Sequence, residues 1–176
     1  MKIGLCGTMS VGKTTLVKAL QELDYFKGYN FRTERSKELM AMGIPLNTDS
    51  TLKGQTVFLA ERATELMQEN IITDRTVIDV MAFAQASKSM DWTDKEAFYT
   101  YAIRLIREYD YIFYVSPEGV EIEDNGIRET DAEYRNEIDI IIRHILSQQK
   151  HRIKNYGVIE GSTEERVHQI INSIEL

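Results

Sequence analysis

Short apolar runs alternate along the chain with longer stretches in which apolar residues recur every three to four positions. The runs predict strands at about Lys2–Cys6, Tyr29–Thr33, Asn70–Thr73, Tyr111–Val115 and Val158–Glu160. The periodic stretches predict helices. One begins near Gly12 with Leu16, Leu20 and Leu23 on one face, and a short one begins near Glu34 and ends before Gly43. Others cover about Thr51–Glu69, Val77–Ser87, Asp94–Tyr109 and Asp131–Asn155. The Asp94–Tyr109 helix carries a stripe of Phe98, Tyr101, Ala102, Leu105 and Ile106, and the longest helix aligns Tyr134, Ile138, Ile141, Ile142 and Ile145. A last helix carries Val167, Ile170, Ile171 and Ile174. Thr93 with Glu96, and Ser162 with Glu165, stand at capping-box spacing and mark two helix starts. The two prolines, Pro45 and Pro117, fall in predicted loops, and Pro117 stops the fourth strand.

Strands that alternate with helices in this way predict an α/β protein, a parallel sheet with helices on both faces. No repeat, low-complexity tract or linker interrupts the 176 residues, so they read as one domain, 1–176. Hydrophobic residues make up 43% and charged residues 28%, as in a globular protein. The formal net charge of −7 disfavours a general grip on nucleic acid, while leaving room for a local basic cleft. The single cysteine, Cys6, excludes a disulfide within the chain and reads as a buried filler. No apolar stretch approaches the roughly 20 residues of a membrane span, and the chain opens directly on a strand-like run rather than a signal segment. The expected location is the cytoplasm, and the pattern leaves the oligomeric state open.

The sharpest chemical signal is Gly7-Thr8-Met9-Ser10-Val11-Gly12-Lys13-Thr14, a complete P-loop pattern between a predicted strand and a predicted helix. The glycines let the backbone turn so that several N–H groups point at one anion. The helix N-terminus adds partial positive charge. Gly7, Thr8, Ser10, Val11, Gly12, Lys13, Thr14 and Thr15 are therefore the expected ATP-binding residues. Lys13 is placed to reach the β- and γ-phosphates and the Thr14 hydroxyl to ligate Mg²⁺. A plain glycine-containing turn requires neither a lysine nor a following threonine at this spacing.

Ligands of open parallel sheets bind beyond the carboxyl ends of the strands. Strand two ends at Thr33-Glu34-Arg35, strand three at Asp74-Arg75, and strand four at Ser116-Pro117. Asp74 is expected to hold Mg²⁺ with Thr14, and Arg75 to neutralise a phosphate; the plain alternative is a strand-end ion pair. Glu34 is read either as a base or sugar-orienting carboxylate for the acceptor, or as a helix-start residue. Arg35 and Lys37 are further anion candidates against a solvated face. Gln55 and Phe58, on the helix before strand three, are acceptor candidates, the amide reading a base edge and the ring stacking on it; Phe58 also suits a core position. The polar segment at about 118–130 reads as a lid, with Arg128 and Arg135 arriving at the phosphates as it closes. His144, His151 and His168 lack a matching Cys/His set and read as surface or packing residues. Trp92 is placed in a loop as a packing residue.

Over nearly its whole length the chain resembles P-loop kinases related to the ribosylnicotinamide kinase domain, and similar phage-encoded nucleotide-kinase-like ATPases. The resemblance rests on the P-loop, on Glu34, on Thr73-Asp74-Arg75-Thr76-Val77-Ile78-Asp79, and on Glu123-Asp124-Asn125-Gly126-Ile127-Arg128 followed by Arg135. The Asp74-Arg75 pair also resembles a strand-three signature of thymidylate kinases. The resemblance implies a three-layer P-loop kinase fold with sheet order 2-3-1-4-5, ATP on the P-loop, and an acceptor between the strand-two region and the lid. It suggests Asp79 as a supporting residue, where the residues alone allow an ordinary helix-surface carboxylate. Lys37 departs from it, standing where an arginine is expected.

The expectation is ATP- and Mg²⁺-dependent phosphoryl transfer to a small nucleotide acceptor, foremost a deoxynucleoside monophosphate such as dTMP. The lean rests on arginines at the ends of strands two and three. A nucleoside or ribosylnicotinamide kinase acting on a sugar hydroxyl is the nearest rival. A DNA-directed kinase and a nucleotide-binding switch without an acceptor complete the alternatives. The Asn-Lys-x-Asp tetrapeptide of guanine-selective switches does not occur.

Overall fold

The computed structural model describes residues 1–33, 35–119 and 132–175. Five strands, β1 (Lys2–Cys6), β2 (Asn30–Arg32), β3 (Ile71–Asp74), β4 (Tyr111–Val115) and β5 (Asn155–Ile159), form one parallel sheet in the order β2-β3-β1-β4-β5. Seven α-helices are described: α1 (Lys13–Gln21), α2 (Ser36–Ala41), α3 (Leu52–Glu65), α4 (Val77–Ala86), α5 (Trp92–Ala102), α6 (Ala132–Gln149) and α7 (Thr163–Ile174). This is the P-loop kinase fold in the expected strand order.

The sheet has a core on each face, and the two-residue period of the strands divides β4 between them. Ile112 and Tyr114 join Cys6, Ile78, Ile138 and Ile142 under α4, α5 and α6. Phe113 and Val115 join Leu5, Leu16, Leu20 and Ile170 under α1 and α7. Because β1, β3 and β4 are covered on both sides, they are buried nearly throughout, completely so in β3, and β1 and β4 are mostly apolar. Cys6 is buried as expected, and the apolar surroundings together with the Asp79 charge raise its thiol well above the ordinary value.

Several element boundaries differ from the sequence pattern. Helix α5 starts earlier than the Thr93/Glu96 spacing suggests, because the Asp91 carboxylate accepts the Asp94 N–H at 2.8 Å and caps the helix first. Trp92 is therefore the first helical residue rather than a loop residue, and at 76% exposure it packs little. Past Ala102 the chain tightens into a 3₁₀ turn, Ile103–Glu108. Helix α6 stops at Gln149 and gives way to a 3₁₀ turn, Lys150–Arg152, so β5 opens at Asn155 and not at Val158. The first half of β5 is polar because it lies at a sheet edge. Gly157 is required there, since a Cβ would lie 2.8 Å from the Phe113 ring of the neighbouring strand. Helices α2 and α3 are shorter than expected, and Leu23 lies past the end of α1. The Ser162/Glu165 capping box is present, with Glu165 accepting from the Ser162 N–H at 2.7 Å.

Candidate active site

The order β2-β3-β1-β4-β5 puts β1 in the middle, so the turn from β1 into α1 lies between the ends of β3 and β4. Positive φ at Ser10 (56°) and at Gly12 (83°) winds this turn, residues 7–12, into a compact loop ahead of α1. Gly12 takes the left-handed conformation at the N-cap of α1, which a glycine adopts without steric cost. No acidic residue stands in the first turn of α1, so its positive end is left for an anion. The Lys13 side chain is buried and folds back over the loop, donating to the carbonyls of Gly7 at 2.7 Å and Thr8 at 2.8 Å. Thr8, Ser10 and Val11 are buried within the loop, and Thr15 faces outward on α1.

The end of β3 closes over this loop. The Thr14 hydroxyl donates to the Asp74 carboxylate, which joins the two residues expected to share Mg²⁺. A hydroxyl and a carboxylate in contact beside a phosphate loop are hard oxygen donors, the set Mg²⁺ takes together with phosphate oxygens and water, so the residues present fit the ion. Among the described residues no larger cluster of metal-ligating side chains occurs.

Asp79 is not a helix-surface carboxylate. It is fully buried, and one oxygen accepts the Gly7 N–H at 3.1 Å. The other accepts the Thr76 N–H at 2.7 Å and the Thr76 hydroxyl at 2.9 Å. The carboxylate that completes the α4 capping box thus also fixes the first residue of the phosphate loop.

Two arginines hold the loop from its other sides. Arg135, near the start of α6, donates Nε to the Met9 carbonyl at 3.2 Å and Nη2 to the Ser10 carbonyl at 3.4 Å, while its own carbonyl accepts the Thr8 hydroxyl at 2.9 Å. Arg166, on α7, donates Nη1 to the Val11 carbonyl at 2.6 Å and Nη2 to the Ser116 carbonyl at 3.3 Å. It is only 4% exposed. Burial lowers the pKa of both guanidinium groups from the ordinary arginine value. Arg135 was expected at the phosphates with the lid; here it braces the loop that would hold them. Sequence reading missed Arg166, because its neighbours Val167 and Ile170 mark only the buried stripe of a helix.

Beside the phosphate loop, Arg75 heads a cavity of about 40 Å³ whose lining includes Ser36, Asn47, Gln55, Phe58 and Phe83. The Arg75 guanidinium lies 4.8 Å from the centroid of the Phe83 ring, a cation–π contact. Its backbone φ is 102°, a strained conformation for a residue with a side chain, held by Arg75 N–H to the Leu5 carbonyl and by the Thr73 hydroxyl on the Arg75 carbonyl. Gln55 is buried on α3, and Phe58 both lines the cavity and packs against the core. Phe83 and Asn47 were not singled out from sequence; Phe83 follows Val77 and Val80 on a helix apolar nearly all round, where no position stands out.

Arg35 is turned elsewhere. It pairs with Glu38, and with Glu61 at 3.2 Å, and is half exposed. Lys37 is exposed. Glu34 and Arg128 lie outside the described residues, as does the expected lid from Val120 to Thr130.

A nucleotide-binding loop braced by buried side chains, on the carboxyl edge of a 2-3-1-4-5 sheet, defines a P-loop protein. Residues 2–166 match the AAA_28 family, described as an AAA domain, and the chain belongs to that family. No curated protein matches the chain in sequence. Among solved structures it is similar to a deoxyadenosine kinase from M. mycoides with bound dCTP, at 20% identity and a TM-score of 0.72, with 99% of each chain covered. The same enzyme with the products dCMP and dCDP gives 20% identity and a TM-score of 0.69 over 99% of this chain and 98% of the other. The YorR protein from Bacillus subtilis in complex with phosphorylated GDP matches at 17% identity and a TM-score of 0.58, over 99% of this chain and 95% of the other.

Proposed function

We propose that this protein is a kinase that transfers the terminal phosphoryl group of ATP, with Mg²⁺, to a small nucleoside or nucleotide. The observation that carries the reading is the end of β3. Two consecutive residues face two different sites, Asp74 turning to Thr14 at the phosphate loop and Arg75 entering a separate cavity. A switch that only binds a nucleotide has no use for the second cavity.

In this reading Lys13 releases its loop carbonyls and pairs with the β- and γ-phosphates of the bound donor. Thr14 and Asp74 would hold Mg²⁺, which when bound neutralises charge on those phosphates. Asp79, Arg135 and Arg166 keep the loop N–H groups directed at the donor. Arg75 leaves Phe83 and neutralises charge developing on the transferred group. Gln55 hydrogen-bonds the edge of the acceptor base while Phe58 and Phe83 flank its faces.

A sugar hydroxyl is the favoured acceptor group. Arg35 is committed to Glu38 and Glu61, leaving Arg75 as the one guanidinium on the cavity wall among the described residues. A neutral hydroxyl asks for fewer cations and for a carboxylate base, a part the sequence offers in Glu34. The similarity to deoxyadenosine kinases supports the same choice. The second reading, a deoxynucleoside monophosphate such as dTMP, is favoured by Arg75 itself, whose charge suits an acceptor phosphate. Within the described residues no helix is long and apolar enough to cross a membrane, and the working location is the cytoplasm.

A panel of nucleosides and monophosphates incubated with Mg-ATP tests the proposal. Phosphorylation of deoxynucleosides is the expected result, and turnover of monophosphates alone would promote the second reading. ATP hydrolysis indifferent to every acceptor would remove the kinase.

A further inference from the structure

At the opposite edge of the sheet from the phosphate loop, three arginines meet. Arg104 and Arg107 lie on the 3₁₀ turn ahead of β4, and Arg152 lies on the 3₁₀ turn ahead of β5. All three line one cleft of about 440 Å³ together with Thr100 and Ile103. Residues three apart in a 3₁₀ turn project on the same side, which brings the first two guanidinium groups together. Arg152 is oriented by Gln149, whose side-chain Oε1 accepts its Nε–H at 3.0 Å and whose Nε2 donates to the Tyr99 hydroxyl at 3.4 Å. None of the three pairs with a carboxylate among the described residues. In a chain of net charge −7, three arginines lining one cleft, with no ion pair among the described residues, form a site that attracts an anion of high charge.

The cleft does not stand alone. Helices α5 and α6 both pack on α4, and a second hollow of about 360 Å³ lies between them, floored by Met81 and Ala84 of α4. Trp92, Tyr99 and His144 line it, with Glu96 and Gln85 supplying polar groups. Thr100 lines both hollows, so they adjoin. Trp92, Glu96, Tyr99 and Ile103 recur at helical spacing and make one continuous stripe from the aromatic end to the arginines. A large aromatic side chain 76% exposed at the rim of a hollow is a surface offered for stacking.

We propose that this groove binds a nucleoside triphosphate, the base against Trp92 and Tyr99 and the phosphates on Arg104, Arg107 and Arg152, as a site separate from the phosphate loop. Guanidinium groups grip phosphate oxygens two at a time, and three of them offset most of the charge of a free triphosphate. Glu96 accepts from an exocyclic amino group, which favours adenine, cytosine or guanine over thymine. A longer polyanion such as single-stranded DNA offers the same phosphates, but the acidic remainder of the surface opposes an extended track.

Trp92 is the only tryptophan of the chain, so its fluorescence reports on this groove directly. The full protein is titrated with Mg-ATP, Mg-dTTP, inorganic tripolyphosphate and a short oligodeoxynucleotide, with excitation at the red edge of tryptophan absorption. Saturable quenching by ATP is expected in the wild type and equally in Lys13→Ala, whose phosphate loop is impaired. In the doubly substituted Arg104→Ala/Arg107→Ala protein, the ATP Kd read from Trp92 rises at least about tenfold, while donor binding at the phosphate loop, read by a displacement assay, is unchanged. Loss of quenching in Lys13→Ala, or its persistence in the double variant, overturns the proposal. So does tripolyphosphate binding as tightly as ATP, which would leave the aromatic half without a part. An oligodeoxynucleotide that quenches more tightly than ATP would replace the mononucleotide with nucleic acid.

Discussion

In the phosphate loop the glycines, Lys13 and Thr14 are set by backbone and charge requirements, while the positions between Gly7 and Gly12 are freer. Those fixed positions made the loop recognisable from sequence, and the fold brings Thr14 into contact with Asp74. Asp79 was less so, since Thr76 and Asp79 at capping spacing look like any helix start, and only the fold brings the carboxylate to the Gly7 N–H. Two predictions belong here. Lys13→Ala removes the charge that meets the β- and γ-phosphates and lowers kcat by about 10²-fold or more, with a cooperative melt retained; single-turnover transfer at the wild-type rate would contradict it. Asp79→Asn leaves the shape of the side chain but turns an N–H₂ toward donors already present. The KM for ATP is expected to rise by about tenfold and the protein to lose about 1–3 kcal/mol of stability, measured by steady-state kinetics beside denaturant unfolding.

At the scale of elements, helices and strands were readable wherever burial imposes a period, and their ends were not. The end of α6 and the start of β5 went unseen because residues 150–157 are mostly polar or glycine, and their strand character comes from pairing with β4. The start of α5 is set by Asp91 and not by the Thr93/Glu96 pair, because the Asp91 carboxylate, ahead of Thr93, already accepts the Asp94 N–H. Helix α3 carries a feature no periodicity reveals. Arg62 is 2% exposed and pairs with Glu65 at 2.7 Å, yet burial pushes the Glu65 carboxyl up from an ordinary 4.5 to about 7, with Arg62 only partly opposing it. The folded state therefore holds this proton more tightly than the unfolded chain. Between about pH 4.5 and 7 the wild type should lose on the order of 1–3 kcal/mol as pH rises. Glu65→Gln should flatten that slope, as urea melts across the interval would show; parallel pH profiles for the two proteins would refute it.

Over the whole molecule, the phosphate loop is held by parts drawn from distant stretches of chain: Asp79 from α4, Arg135 from α6 and Arg166 from α7. Arg166→Ala should raise the KM for ATP by about tenfold with a smaller change in kcat, because what is lost is the loop's shape and not a charge on the reacting group. Arg166→Lys, which keeps the charge but loses the planar fork of donors, should fall between; equal kinetics in all three proteins would show that α7 leaves the loop untouched. The bond from Arg166 to Val11 spans 155 residues, and it gives the protein a history as well as a shape. During synthesis, a ribosome exposes the nucleotide loop well before the residue that braces it, 155 positions further on. A nascent chain stalled before α7 emerges should capture ATP poorly, and competence should arrive abruptly as α7 clears the exit tunnel. The order of translation would thus keep a half-made chain from engaging the nucleotide pool, a result that stalled chains of graded length can test directly.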